Sequence, residues 1–179
     1  MKRTFRSSLF LYTFELVEFE KSCTIEIVSA INLKVGISMT AIIEQIDQLF
    51  KEKGLPLERR QAPDGNHVYT GVFSKPDAKP ISFNIVIQNA EDIADFQIVY
   101  GELAYATDYA KKPAVLEMLN ELNMYKTGYY TAVLAGDGEI FVKCVSRVAK
   151  ENVFPLYEML VIGSNMSLAL LPEIEKALA

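Results

Sequence analysis

The spacing of apolar residues from Met39 onward predicts a helix at the start of a folded domain. Its apolar positions recur every three or four residues: Ile42, Ile43, Ile46, Leu49 and Phe50. Ser38 or Thr40 is expected to cap the first turn, because a hydroxyl side chain can accept a hydrogen bond from a free backbone N–H. Gly54 is expected to end the helix, since glycine tolerates the left-handed conformation that follows a last turn.

Strands are predicted after this helix, with the alternation of apolar and polar residues clearest in 67–74 and 81–88. The predicted strands are 67–74, 81–88, 96–106, 128–135 and 139–148. Helical spacing returns in 108–124, where Asp108 can act as the cap, and in 153–178. The order from Met39 is therefore α-β-β-β-α-β-β-α. Such runs of strands separated by single helices predict an α+β fold, an antiparallel sheet with its helices packed on one face.

Residues 1–38 differ from the rest of the chain and are predicted to be a separate N-terminal arm. They carry five basic and four acidic residues, whereas the whole chain has a net charge of −5. Glu15 and Glu18 interrupt the apolar run that a signal peptide would need. Two interpretations stay open: a natural arm or hairpin, or a translated upstream segment before a natural start at Met39. The domain proper is predicted to span 39–179.

The residues that separate the predicted elements carry a resemblance to a known family. They are Gly54-Leu55-Pro56, Val68-Tyr69, Leu119-Asn120-Glu121-Leu122-Asn123, Gly136-Asp137-Gly138-Glu139 and Leu171-Pro172-Glu173. With the element order, they resemble the YbjN-type family of bacterial sensory transduction regulators, whose fold looks like that of type III secretion chaperones. The resemblance covers 39–179. It implies a non-enzymatic regulator or chaperone-like interaction domain, and it brings no catalytic signature with it.

Composition narrows the possible functions further. The net charge of −5 argues against a protein that holds nucleic acid by neutralising phosphates. One histidine and two cysteines exclude a multi-histidine metal site or a disulfide scaffold, and no metal or cofactor is predicted. The longest uncharged apolar stretch, 159–172, is shorter than the ~20 residues of a membrane span. No membrane association is therefore predicted, and two cysteines without close partners in sequence favour a reducing cytoplasm.

Three groups of polar residues could carry chemistry, and each has a structural explanation. Cys144 and His67 could form a nucleophile–base pair, but Cys144 lies within a predicted strand and is expected to be a core residue. Glu91, Asp92 and Asp95 are expected to form a solvated loop, since they lack the spacing of a calcium loop. The glycines around Asp137 join two strands, so they are expected to serve a hairpin and not a phosphate.

The open face of the predicted sheet is the expected binding site for another protein. Its predicted residues are Asn84, Val86 and Gln88 on one strand with Gln97 and Val99 on the next. The main alternative is a small-ligand binder or undetected enzyme, with a pocket between the sheet and the helices. A third possibility is that residues 1–38 add strands to a sheet edge.

The middle helix is expected to form a homodimer. Its apolar residues cover an arc of roughly 200°, while packing on one sheet needs a little over 100°. The surplus is assigned to Met118, Leu122 and Tyr125, together with Tyr129 at the start of the following strand. A twofold axis would let this one surface pair with itself.

Overall fold

The structure, a computed structural model, describes residues 41–179. The predicted arm, residues 1–38, and both interpretations of it lie outside the described residues. The helices are α1 (Ile42–Glu52), α2 (Lys112–Tyr125) and α3 (Phe154–Leu178). The strands are β1 (Arg59–Gln61), β2 (His67–Phe73), β3 (Ile81–Ile87), β4 (Ile93–Tyr105), β5 (Thr131–Leu134) and β6 (Glu139–Ala149).

The six strands form one antiparallel sheet in the order β1-β2-β3-β4-β6-β5. Its helix-covered face is apolar, and the buried side chains of the two central strands show why. Ile81, Phe83, Ile85 and Ile87 alternate along β3, and Ala94, Phe96, Ile98 and Tyr100 alternate along β4. The predicted α+β class, antiparallel sheet and placement of the helices are confirmed. Strand β1 was missed, because three exposed polar residues carry no alternation.

The sequence predicted the residue that ends α1 but not the residue at its N-cap position. The N-cap position is Ala41, which makes no side-chain cap, and the N–H of Ile42 donates to the Glu91 carbonyl at 3.3 Å. The N-cap position is thus not Ser38 or Thr40, the two predicted caps, which lie outside the described residues, and the β3–β4 connection supplies an acceptor for the first turn. Gly54 ends the helix as predicted, with φ +68, and the next N–H donates to the Phe50 carbonyl at 2.8 Å.

A β-bulge interrupts β4, which the sequence predicted as a regular strand. The register with β6 shifts between Tyr100 and Ala104, and Glu102 adopts a positive φ of 56. The Glu139 carboxylate accepts the Glu102 N–H at 2.8 Å and thus replaces a ladder partner. The bulge keeps both Tyr100 and Leu103 in the core, although they are three residues apart.

The long helix α3 covers the centre of the sheet. Its buried apolar side chains, among them Leu156, Leu160 and Ile174, belong to the same core as those of β3 and β4. Within residues 41–179 it is the one helix whose length and composition would also allow a membrane span. The same properties are typical of the buried helix of a folded domain, and that is the place α3 occupies here.

Candidate interaction surfaces

The open face of the sheet contains the five residues predicted to bind a partner. Asn84 lies opposite Val99, and Val86 lies opposite Gln97, so the four form two adjacent rows across β3 and β4. Asn84 and Gln88 are exposed, while the other three are half-buried by their neighbours on the sheet. These side chains share one surface away from the helices. Whether a partner binds there stays a prediction.

The same face extends further than the sequence analysis placed it. Val68 of β2 lies opposite Val86, and Val145 of β6 lies opposite Gln97, which completes a row across four strands. Val145 is 66% exposed. These residues were missed because a strand's own alternation does not reveal which strand lies beside it.

An ion pair closes one end of the open face. Arg147 donates two hydrogen bonds to the Asp95 carboxylate, at 2.6 and 3.2 Å, across β4 and β6. These bonds lower the pKa of Asp95 and raise that of Arg147. Asp95 therefore belongs to a strand and an ion pair, and the prediction of one loop holding Glu91, Asp92 and Asp95 is wrong for this residue.

The predicted dimer surface on α2 is divided by burial. Leu122 is only 2% exposed, because it packs with Val115 and Leu119 into the domain's own core. Its assignment to a dimer interface is therefore wrong. Met118 is half-buried against the core, whereas Tyr125 and Tyr129 are each 74% exposed. The available part of the predicted surface is the C-terminal end of α2 and the residues that follow.

Two exposed apolar residues of α2 lie away from the tyrosines. Leu116 and Met124 are 100–180° from Tyr125 around the helix by the ~100° step per residue, and both side chains are exposed. The surplus apolar arc is therefore real, but it is split between two sides of α2. The sequence pattern could not divide it, because the division depends on where the core side of the helix lies.

A polar cluster is buried where α3 crosses the sheet. Tyr100 donates a hydrogen bond to the Leu160 carbonyl at 2.5 Å, and Tyr130 donates to the Met159 carbonyl at 2.6 Å. Ser164 donates to Leu160 as well, at 2.9 Å. Burial is the main cause that raises the pKa of both tyrosines, so their hydroxyls stay protonated at neutral pH. The cluster serves the packing of α3 and offers no base or nucleophile.

Cys144 belongs to the core, as predicted. Its side chain is buried, and burial raises the pKa of the thiol, which suppresses the reactive thiolate. His67 lies in β2 and Cys144 in β6, with β3 and β4 between them. At about 4.8 Å per strand, three strand spacings place the two residues at least ~14 Å apart. The nucleophile–base alternative is therefore excluded for this pair.

Two open clefts lie outside the space between the sheet and the helices. One, of about 640 Å³, runs between α1 and the start of α3 and is lined in part by Glu44, Leu49 and Phe154. The other, of about 280 Å³, lies beside β1 at the sheet edge. Among residues 41–179, no group of three or more histidine, cysteine or acidic side chains is placed to hold a metal ion.

Comparison with known proteins adds no assignment to this geometry. No protein-family model matches the chain, and no curated protein shows a significant match to it.

Proposed function

We propose that this chain is a non-enzymatic bacterial regulator or chaperone-like domain of the YbjN type that binds another protein. The observation that carries the proposal is the open sheet face, which no helix covers in the part of the chain that the structure describes. A sheet face turned to solvent is usually polar. Here Val86 and Val99 alternate with Asn84 and Gln97 across the two central strands.

This mixture of residues fits a reversible protein interface. Such interfaces combine apolar contact area with side chains that can form hydrogen bonds, and they carry few charges at their centre. The amides of Asn84 and Gln97 lie at the centre of the face, whereas the ion pair of Asp95 and Arg147 lies toward one end. The partner is therefore expected to present a flat surface of similar polarity.

The domain is further proposed to act as a homodimer in the cytoplasm. Tyr125 and Tyr129 are large, exposed and close in sequence at the end of α2, and tyrosine is favoured at interfaces. Met118, half-buried on the same helix, would contribute at the border of this surface. A buried free thiol at Cys144 fits a reducing compartment.

The partner-binding proposal is tested by photo-crosslinking in cells. A benzophenone amino acid at Val99 is expected to capture one protein in near-stoichiometric yield, and Val86→Lys is expected to abolish the capture. The matched control carries the same probe at Glu117, which is exposed on α2. Equal capture from both positions, or capture that Val86→Lys leaves unchanged, would contradict the proposal. A metabolite that co-purifies stoichiometrically in native mass spectrometry would favour the small-ligand alternative.

A further inference from the structure

Strand β6 is much longer than the strand that covers its outer edge. β5 pairs only with residues 140–143 of β6, while β6 continues to Ala149 in pairing with β4 on its other side. Within residues 41–179, no strand pairs with the outer edge of residues 144–148. We name this five-residue segment the free edge of β6.

The backbone groups along the free edge have a defined direction. The Ala135 N–H donates to the Glu139 carbonyl at 2.8 Å, so odd-numbered residues of β6 direct their backbone groups toward the β5 side. The Ala106 N–H donates to the Gly138 carbonyl at 2.8 Å, so even-numbered residues face β4. It follows that the N–H and C=O of Val145 and Arg147 point outward, and no described backbone group bonds to them.

The free edge is symmetric about Ser146. At one end it is bounded by Thr131, the first residue of β5, which lies opposite Lys143. At the other end the Asn152 N–H donates to the Ala149 carbonyl at 3.0 Å and turns the chain toward α3. Val145 and Arg147 therefore lie one residue on either side of the centre, each with one outward donor and one outward acceptor.

We propose that the free edge of β6 pairs antiparallel with the same edge of a second copy of this chain, about a twofold axis at Ser146. In this register Val145 faces the partner's Arg147, and each pair exchanges two hydrogen bonds. The four outward donors and acceptors are then all satisfied. The inference rests on the proposed homodimer and adds to it a defined strand pairing.

The side chains at the free edge favour this pairing. Edge strands commonly carry a charge that repels a second strand. Arg147 is such a charge, but the Asp95 carboxylate already neutralises it at 2.6 Å. Val145, with 66% of its surface exposed, would then pack against the aliphatic stem of the partner's Arg147.

A second copy fits the free edge better than an unrelated strand does. The edge is short, and β5 blocks it at one end while the turn after Ala149 closes it at the other. A copy of β6 fits both ends, because Ala149 of each copy, where the strand ends and turns, then falls opposite Lys143 of the other, where β5 begins. The exposed Tyr129, part of the proposed dimer surface, comes two residues before Thr131, the residue of β5 that bounds the free edge. One continuous surface can therefore serve both contacts across a twofold axis.

The first test is a proline scan of the sheet edges, read out by sedimentation equilibrium of the full chain. Val145→Pro removes an outward N–H and no bond to β4, so the fold should persist and the dimer dissociation constant should rise about tenfold or more. Val72→Pro is the matched control, because Val72 is exposed in β2, on the side of the sheet opposite to β6. This variant should leave the dimer unchanged. Circular dichroism verifies the folding of both variants.

The second test does not depend on the tolerance of proline. In a Cys23→Ser background, Ser146→Cys should form an intermolecular disulfide on mild oxidation, because directly opposed residues of this register have Cα atoms about 4.5 Å apart. Val72→Cys should not. A dimer that Tyr125→Asp breaks, but that survives Val145→Pro and fails to crosslink at position 146, would overturn the strand pairing and keep the proposed homodimer. A monomer at ~100 μM full chain would overturn both.

Discussion

At the scale of single residues, Gly163 is a point of close contact between α3 and two buried tyrosines. A β-carbon built on this glycine would lie 2.5 Å from Cε2 of Tyr100 and would also collide with the Tyr130 hydroxyl. Both tyrosines are buried and bonded to carbonyls of α3, so neither can move aside without loss of a hydrogen bond. Gly163 therefore sets the distance between α3 and the sheet.

Gly163→Ala is expected to destabilise the domain by about 1–3 kcal/mol, because an added methyl group in a filled core forces its neighbours apart. Urea unfolding measures the change. Gly136→Ala is the matched control, since nothing lies within 4 Å of its added methyl group, and we expect a change below ~0.5 kcal/mol. Equal effects of the two substitutions would show that close approach at Gly163 is unimportant.

The buried tyrosines predict loss of stability in alkali. Burial raises the pKa of Tyr100 above its ordinary value of 10.0. Its contribution is complete below pH 10 and falls as the pH rises further, because only the unfolded state then releases the proton. Above pH 10, Tyr100 should lower the free energy of unfolding by ~1.4 kcal/mol for each pH unit. In Tyr100→Phe, the free energy of unfolding should fall less steeply with pH by this amount. An unchanged slope in the variant would contradict the assignment.

Cys144 predicts slow thiol chemistry in the folded state. With Cys23→Ser to leave a single thiol, labelling by a maleimide or an aromatic disulfide should be far slower in buffer than in urea, because the thiol is buried and its pKa is raised. Rapid labelling of the native protein would contradict its place in the core.

At the scale of elements, α2 shows how one helix divides its residues between core and surface. Val115, Leu119 and Leu122 form a narrow buried stripe, while Tyr125 projects from the last turn. The side-chain amide of Asn123 also attaches α2 to β5. Its NH₂ group donates to the Ala132 carbonyl at 3.0 Å, and its oxygen accepts the Ala132 N–H at 2.7 Å. The helix is therefore tied to β5 on one side and leaves its C-terminal tyrosine free.

This division predicts opposite effects for two neighbouring residues. Leu122→Ala should lower the free energy of unfolding by about 2–4 kcal/mol, because it opens a cavity in the core. Tyr125→Ala should change it by less than ~0.5 kcal/mol in the monomer and should weaken the dimer instead. Chemical unfolding and sedimentation of both variants distinguish these outcomes. If Leu122→Ala abolished the dimer without lowering the free energy of unfolding, Leu122 would belong to the dimer interface.

At the scale of the whole molecule, residues 41–179 contain one continuous core built from all three helices and the sheet. Contacts within the chain place all of the described residues, 41–179, in one compact unit. The first turn of α1 obtains its hydrogen-bond partner from Glu91, inside this unit. The domain thus contains the contacts that α1 needs at its start.

A chain that begins at Met39 is therefore expected to fold on its own. Its melting temperature should match that of the full chain within about 2 °C, since a change of 1 kcal/mol corresponds to roughly 2–6 °C at this size. Calorimetry of both chains at equal concentration measures the difference. Aggregation of the shorter chain, or a loss of many degrees, would show that residues 1–38 contribute to the core.

The elements of this domain could be predicted from the sequence because each rests on a local period. The isoleucines of α1 recur at helical spacing, and those of β3 alternate, so burial of one face follows from neighbours a few residues apart. For the same reason the five open-face residues of β3 and β4 could be named in advance. Gly54 was predictable too, since it acts on a helix end directly beside it. Asp108 is a cap as predicted, but its carboxylate accepts the Ala110 N–H of the 3₁₀ turn Tyr109–Lys111, whereas the N-cap position of α2 itself is Lys111.

Only the tertiary structure decided which distant residues meet. Arg147 lies 52 residues from Asp95, and the burial of Leu122 depends on where α3 and β5 lie. The bulge at Glu102 requires the Glu139 carboxylate, and the free edge of β6 exists because β5 begins only at Thr131, opposite Lys143. The local spacing of apolar residues predicts which face of a helix or strand is buried. Which strands pair, and in which register, depends on contacts between segments far apart in the chain, and these contacts leave no local sequence pattern.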